Sequence, residues 1–444
     1  MTLKLQRHND SSLARGGVMG RMVDLVVATD SSAHRDLASA LPRLGFRVRT
    51  CDFSEISGVL REAPPEALVT LGDLTHPIAH PASVHIHAGP CSVVGPDALL
   101  LAPAHPIQIA SRVRALLRLK MIEFIARVRR QDAEAHGAPI NSKPRAGQSS
   151  AILYVGAPDP AFMRLQHALK ASQTDVIAAF STFNAFDYLH ERTFDAVVLN
   201  TDPDPELAHT VCSAMRRNTR LFHTPALLLT RSEVYASADE AFARGASDIL
   251  PANASGDELK SRVIALTAER QRRRQAKALL EACRQPVLLD DASDLFSPDF
   301  GRAHLGSLIQ AAADYQTPLC VIALAVNTPR EAGPADGQAA HHALDQFASM
   351  LRHCVRAEDF AMRIDANRFL LALPSTSSEE ARNVASRVSA IAECTAYEGV
   401  DPLSPFRLEL TSCVDQWTAE ESAERLYERA LARVDARPVR LVAS

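Results

Sequence analysis

The chain lacks any long hydrophobic run. In its 444 residues no stretch approaches the roughly 20 apolar positions a membrane-spanning helix needs, and the apolar segment 98–104 stops at His105-Pro106. The opening MTLKLQRHNDSSLARGG lacks an apolar core long enough for a secretory signal. There is no surplus of positive charge: 48 Lys and Arg stand against 52 Asp and Glu, for a net charge of −4. A general phosphate-backbone binder carries a basic excess, so nucleic acid is not the expected partner. There is also no Cys-x-x-Cys. The eight cysteines are scattered singly, which disfavours a zinc or redox motif and fits a reducing cytosol. What remains is globular composition, 47% hydrophobic and 23% charged, in a length that suits two to four domains. A cytoplasmic protein with no membrane insertion is expected.

Composition breaks once. Residues 135–150, EAHGAPINSKPRAGQS, carry no apolar period and read as a linker. Short apolar runs alternate with helical stretches on both sides: DLVVAT (24–29) then helix 33–44, and AILYV (151–155) then helix 160–172. That alternation argues for parallel βαβ units. The chain also repeats itself. SRVRAL, within 95–117, returns as SRVIAL, within 245–267, at an offset of 150, whereas the first strands are offset by 127. Two domains of one type are expected, the first shorter by 23 residues. The shortening falls after its third and fourth strands, so the helices there should be missing or reduced to a turn.

A charged helix, 257–284, follows the second copy and contains ERQRRRQ at 269–275. This arginine run reads as the solvated face of a connector helix. Interleaved aromatics for nucleic-acid contact are lacking. A third region starts with a strand-like 286–289. It continues with helix 341–354, a strand pair within 361–374 and helix 378–394, opened by a capping box over Thr376 to Glu379. Helices bracketing apolar strands imply an α/β sandwich.

The third region carries the most specific pattern: RAED (356–359), FAMRI (360–364), DANRF (365–369) and LLALP (370–374). It resembles a GGDEF domain, whose pattern is Arg-x-x-Asp, five residues, the GGDEF signature and an apolar strand ending in Pro. The first two regions resemble response-regulator receiver domains. The order receiver–receiver–GGDEF is similar to that of the PleD-type diguanylate cyclases over residues 22 to 444. The resemblance implies an α/β chain of two receiver-like, flavodoxin-like domains with doubly wound parallel sheets, followed by a GGDEF-like sandwich. Its expected parts are a shortened receiver-like domain at 22–134, the linker at 135–150 and a pseudo-receiver at 151–270. A helical connector at 271–284 and a degenerate GGDEF domain at 285–444 complete it.

Catalysis is expected to be lost. Asp365 and Ala366 stand where the family's glycines admit GTP, and Asn367 and Leu324 stand where its magnesium-holding acids lie. Leucine cannot ligate a hard cation, and without the metal phosphoryl transfer loses its charge neutralisation. The guanine-reading Asn and Asp fall at Ala332 and His341. The family's product-inhibition site is kept in residue type: Arg356, Asp359 and, 18 residues past Phe369, Arg387. A guanidinium can donate twice to guanine O6 and N7, and a carboxylate can accept from N1–H and the N2 amine. These three residues are the expected cyclic di-GMP clamp.

The receiver-like domains look altered too. In the second, Gly156 and Ala157 follow strand one, Asn200 replaces the phosphoaccepting Asp, Thr230 survives and Ala252 replaces the Lys. In the first, Asp30 is one acidic candidate and Asp73 the candidate phosphoacceptor, but Ala102 replaces the Lys and His87 falls near the Thr. His76, His80, His85 and His87 cluster there; they read as a solvent-edge strand and loop rather than a metal site.

The resemblance implies a non-catalytic cyclic di-GMP effector with no cofactor or metal. It implies protein partners held through the receiver-like domains: a mediator of proteolysis and a cell-cycle regulator, brought to the ClpXP protease at a cell pole. A homodimer is a candidate assembly. The alternative is a ligand-independent scaffold whose Arg-x-x-Asp is vestigial.

Overall fold

The computed structural model describes residues 22–30, 35–78, 83–93, 95–100, 102, 104–140, 150–172, 174–202, 204–231, 238–329, 337–398 and 405–436. Two compact units divide the chain, Met1–Lys120 with Pro144–Arg274, and Met121–Lys143 with Gln275–Ser444. The described residues 121–140 thus belong to the C-terminal unit, although composition groups most of them with the first domain.

The first unit holds two parallel sheets. Strands β1 (Val23–Thr29), β2 (Phe46–Cys51), β3 (Ala67–Leu71), β4 (Val84–Ala88) and β5 (Ala98–Leu100) lie in the order β2-β1-β3-β4-β5. Their near-continuous Val, Ile and Leu content suits strands covered on both faces. Helices α1 (Arg35–Ala40) and α3 (Pro106–Ala135) pack on one face through Leu37, Ile109 and Val113. Helix α2 (Ile56–Glu62) packs on the other through Ile56. The expected helix 33–44 is a short α-helix that tightens into a 3-10 turn at Leu41–Leu44, where Pro42 cannot donate an N–H; residues 33 and 34 lie outside those described. Among the described residues no helix lies between β3 and β4 or between β4 and β5.

The exposed edge strand expected at the histidines is instead an interior strand. In β4, His85 and His87 are buried and share a face. Thr70 Oγ1 stands 2.9 Å from His85 Nε2 and 2.9 Å from His87 Nδ1. The remaining ring nitrogens meet the Ile78 and Pro90 carbonyls at 3.0 and 2.9 Å. Burial lowers both pKa values, His85 to about 4, so both rings are neutral at pH 7. His80 lies outside the described residues, and His76 is exposed. Among the described residues no group of three or more His, Cys, Asp or Glu is arranged to hold a metal.

The second sheet comprises β6 (Ser150–Val155), β7 (Thr174–Ala179), β8 (Ala196–Asn200), β9 (Ala226–Thr230) and β10 (Asp248–Pro251). Its order is β7-β6-β8-β9-β10, the same as the first. Helices α4 (Pro160–Leu169) and α8 (Gly256–Ala282) cover one face. Helices α5 (Thr182–Glu191), α6 (Pro205–Arg217) and α7 (Ala238–Ala243) cover the other. Both sheets therefore have the doubly wound order with a switch point beside the first strand. Helix α4 stops at Leu169, three residues short of the expected 160–172. The arginine run in α8 is not a solvated face: residues 269–274 are all half-buried, Gln271 bonding Ser150 Oγ at 2.9 Å and Arg274 pairing with Asp195 at 2.8 Å.

The second unit is an antiparallel sheet, β12-β13-β11-β14, built from β11 (Leu319–Asn327), β12 (Phe360–Arg363), β13 (Arg368–Pro374) and β14 (Glu409–Gln416). Helices α9 (Pro298–Asp314) and α12 (Ala423–Asp435) pack on one face, α10 (Gln338–Cys354) and α11 (Ser378–Cys394) on the other. Each fully buried Leu, Ile or Phe here contributes about 1.5–3 kcal/mol of transfer free energy. The strand-like 286–289 is a 3-10 turn, Pro286–Leu288, with Pro286 opening it. The capping box sits one residue later than expected: Ser377 caps the Glu380 amide, and Glu380 answers to the Ser377 amide at 2.9 Å. Thr376 is unavailable because its hydroxyl donates to the Pro374 carbonyl at 3.0 Å. Among the described residues no helix is long and apolar enough to cross a membrane.

Candidate functional site

Helix α10 ends at Cys354, Val355 turns extended, and residues 356–359 form the turn into β12. Asp359 closes that turn. Its Oδ2 accepts from the Arg356 amide at 2.8 Å, and its own amide donates to the Arg356 carbonyl at 3.2 Å. Asp359 Oδ1 is buried without a hydrogen-bond partner. Burial, and next the Glu358 charge, raise its pKa to about 7, while the Arg356 amide and the Arg356 and Arg129 charges oppose the rise.

The turn is held from behind by a residue that pattern reading passed over. Arg129, buried in the last third of α3, donates to the carbonyls of Ala357, Glu358 and Asp359 at 3.1, 2.9 and 3.1 Å. Its Nε donates to His304 Nε2 at 3.3 Å, so His304 Nδ1 carries the proton given to Asp132 at 2.6 Å. Burial lowers His304 to about 4, in keeping with that neutral tautomer, and lowers Arg129 to about 10, still a cation at pH 7. The only sequence signal is an Arg–x–x–Asp on one helix face at 129–132, which reads as a surface pair.

Arg387 projects from α11 to the same place. Its Nη2 donates to the Cys354 carbonyl at 2.7 Å, two residues before Arg356. Arg356 and Arg387 are exposed and Asp359 is buried. Arg356, Asp359 and Arg387 are thus gathered at the C-terminal end of α10, two cations at the surface and one carboxylate beneath.

The positions that the sequence pattern aligns with the family's catalytic residues lie elsewhere in the sheet. Leu324 in β11 is fully buried in the core with Phe347 and Phe369. Asn367 is held by its backbone and by an amide bond to the Val326 carbonyl at 3.1 Å. A hollow of about 410 Å³ beside them contains Asp365 and Asp435, and both carboxylates are paired with Arg368, at 2.6 and 3.0 Å. His341 is exposed on α10; Ala332 lies outside the described residues.

In the second parallel sheet, Asn200 is buried and donates to Tyr154 Oη at 3.0 Å and Asp159 Oδ2 at 2.7 Å. Asp159, which motif counting missed, also caps α4 by accepting from the Ala161 and Phe162 amides. Thr230 and Ala252 line a 660 Å³ hollow with Asp159 and Asp202, whose carboxylate pairs with Arg231. In the first sheet, Asp73 is exposed after β3, and Asp30 accepts from the Phe53 amide at 3.0 Å. Ala102 is exposed.

Among solved structures the chain is similar to the GGDEF domain of DgcB from Caulobacter crescentus in complex with c-di-GMP, at 16% identity over 34% of this chain and 88% of that one, TM-score 0.32. It is similar to the coiled coil and GGDEF domain of DgcB, also with c-di-GMP, at 19% identity over 40% and 93%, TM-score 0.32. It is also similar to the diguanylate cyclase SiaD in complex with its activator SiaC from Pseudomonas aeruginosa, at 18% over 33% and 56%, TM-score 0.31. No curated protein matches the chain. Residues 287–432 match the family model "Diguanylate cyclase, GGDEF domain", and this part of the chain is a GGDEF domain.

Proposed function

We propose that the chain is a cyclic di-GMP effector without cyclase activity, an adaptor of the kind the protein PopA represents. The carrying observation is a divergence within one domain. The positions that would hold magnesium are a core leucine and an amide bonded to backbone, Leu324 and Asn367, and the nearby carboxylates are neutralised by Arg368. The positions that would grip guanine keep their charges and meet at the end of α10, Arg356, Asp359 and Arg387. Arginines there would donate to guanine O6 and N7, and Asp359 Oδ1 lacks the N–H that a guanine edge supplies.

The parallel-sheet domains serve in this reading as receiver-like docking surfaces. Asn200 in place of a carboxylate cannot accept phosphate, and Asp73 is the candidate phosphoacceptor. Ligand binding would select the conformation that recruits a mediator of proteolysis and a cell-cycle regulator to the ClpXP protease at a pole. Equilibrium dialysis with cyclic di-GMP is the test. Saturable binding that Arg356→Gly abolishes is expected; undiminished affinity in that variant refutes the site. Incubation with GTP and magnesium is expected to yield no product. A second reading, a ligand-independent scaffold, is favoured by the burial of Asp359 itself, and absence of any binding in the dialysis would establish it.

A further inference from the structure

A cavity of about 300 Å³ in the first unit has strongly cationic walls. Arg112, Arg114 and Arg118 of α3 line it, as do Arg270 and Arg273 of α8 and Arg216 of α6. Among the described lining residues Glu269 is the one carboxylate. It is already paired with Arg112, through Nη2 and, at 3.4 Å, Nη1.

Some of these arginines are framework. Arg216 donates to the carbonyls of Gly245, Phe222 and Thr224 at 2.7, 2.8 and 2.9 Å. Arg114 donates to the Leu44 carbonyl and lies over the Phe46 ring at 5.3 Å. Arg270 differs. It is half-buried, and its Nε is buried with no hydrogen-bond partner. Burial opposes its charge, as do Arg274, Arg273 and Arg216, while Asp195 favours it.

Six arginines line the cavity against Glu269, with Asp195 acting on Arg270 and Asp248 on Arg112, and the guanidinium groups repel one another where water screens poorly. A bound anion relieves that repulsion, and a guanidinium fork matches phosphate oxygens two at a time. The arginines come from different helices lining one cavity, an arrangement suited to an extended polyanion rather than a point charge. Phe222 is 45% exposed in the lining, with His223 edge-on at 5.1 Å, and offers an aromatic face. We propose that this cavity binds a polyphosphate-bearing small molecule, gripped by Arg270 and Arg273 and independent of the Arg356–Asp359–Arg387 site.

Calorimetric titration of the full chain with inorganic pyrophosphate and, separately, with ATP, both free of magnesium at low salt, tests this. Saturable binding that weakens steeply with added salt is expected. Arg270→Gln with Arg273→Gln should weaken it by about tenfold or more, the loss expected for charge-assisted bonds. Arg356→Gly should leave it unchanged. Tighter binding of ATP than of pyrophosphate assigns the base to the Phe222 face, and equal binding assigns recognition to the phosphates alone; both support the site. Neither probe binding overturns the proposal, as does unaltered binding in the double variant or its loss in Arg356→Gly. If the double variant does not fold, the wild-type chain decides: pyrophosphate must raise its Tm above that in sodium chloride of equal ionic strength, and no difference overturns the proposal.

Discussion

Cyclic di-GMP affinity is expected to rise with pH across neutrality, and Asp359 is the reason. Its carboxyl is buried, one oxygen has no partner, and its pKa is raised to about 7. A guanine edge presents N1–H and N2–H donors, which the ionised carboxylate accepts and the protonated acid does not fully accept. Binding therefore draws on the ionised fraction, about one part in eleven at pH 6 and about ten in eleven at pH 8, and apparent affinity scales with that fraction. The span is about tenfold. Calorimetry at pH 6, 7 and 8 at fixed ionic strength measures it. In Asp359→Asn the slope should vanish together with most of the affinity. A flat profile in the wild-type chain would refute the role of the buried carboxyl. The same residue fixes the sign of a stability effect. Its folded pKa lies above the unfolded value of about 3.9, so its contribution is fully present below that value and is lost as pH rises through 7. Asp359→Asn should thus raise Tm more at pH 8 than at pH 4.

Replacing Arg129 by Met leaves three carbonyls of the 357–359 turn without their donor, and urea unfolding of the C-terminal unit should show a loss of about 3 kcal/mol. Gly89→Ala should lower Tm sharply: at φ +141° an added Cβ lies 2.1 Å from the Gly72 carbonyl oxygen, which is backbone and cannot swing away. Ser377→Ala should cost about 1 kcal/mol in denaturant titration, as for a lost helix cap. The equivalent change at Thr376 should leave the cap of α11 intact.

The strands were readable because each is a short apolar run closed by a turn: DLVVAT and AILYV fall in β1 and β6. Among the described residues no helix follows β3 or β4, as the unequal spacing of the two repeats leads one to expect. The histidines of β4 were misread for a physical reason. β4 pairs with β3 on one side and β5 on the other, so it is interior whatever its polarity, and Thr70, His85 and His87 satisfy one another there. The cap of α11 was ambiguous by construction, since Glu379 and Glu380 each stand three residues from a hydroxyl; a bond to Pro374 decides it.

Spacing picks out the three residues of the expected clamp but not their unequal burial, nor Arg129, which holds the Asp359 carbonyl from 230 positions away. Leu324 sits in the interior strand β11, held by hydrophobic packing, and Asn367 is held by its hydrogen bond to the Val326 carbonyl. The turn at 356–359 owes its geometry to a different set of atoms, the Arg129–His304–Asp132 chain and the end of α10. The two sets of positions share a domain but none of these hydrogen bonds, so a substitution at Leu324 or Asn367 should leave the 356–359 turn built.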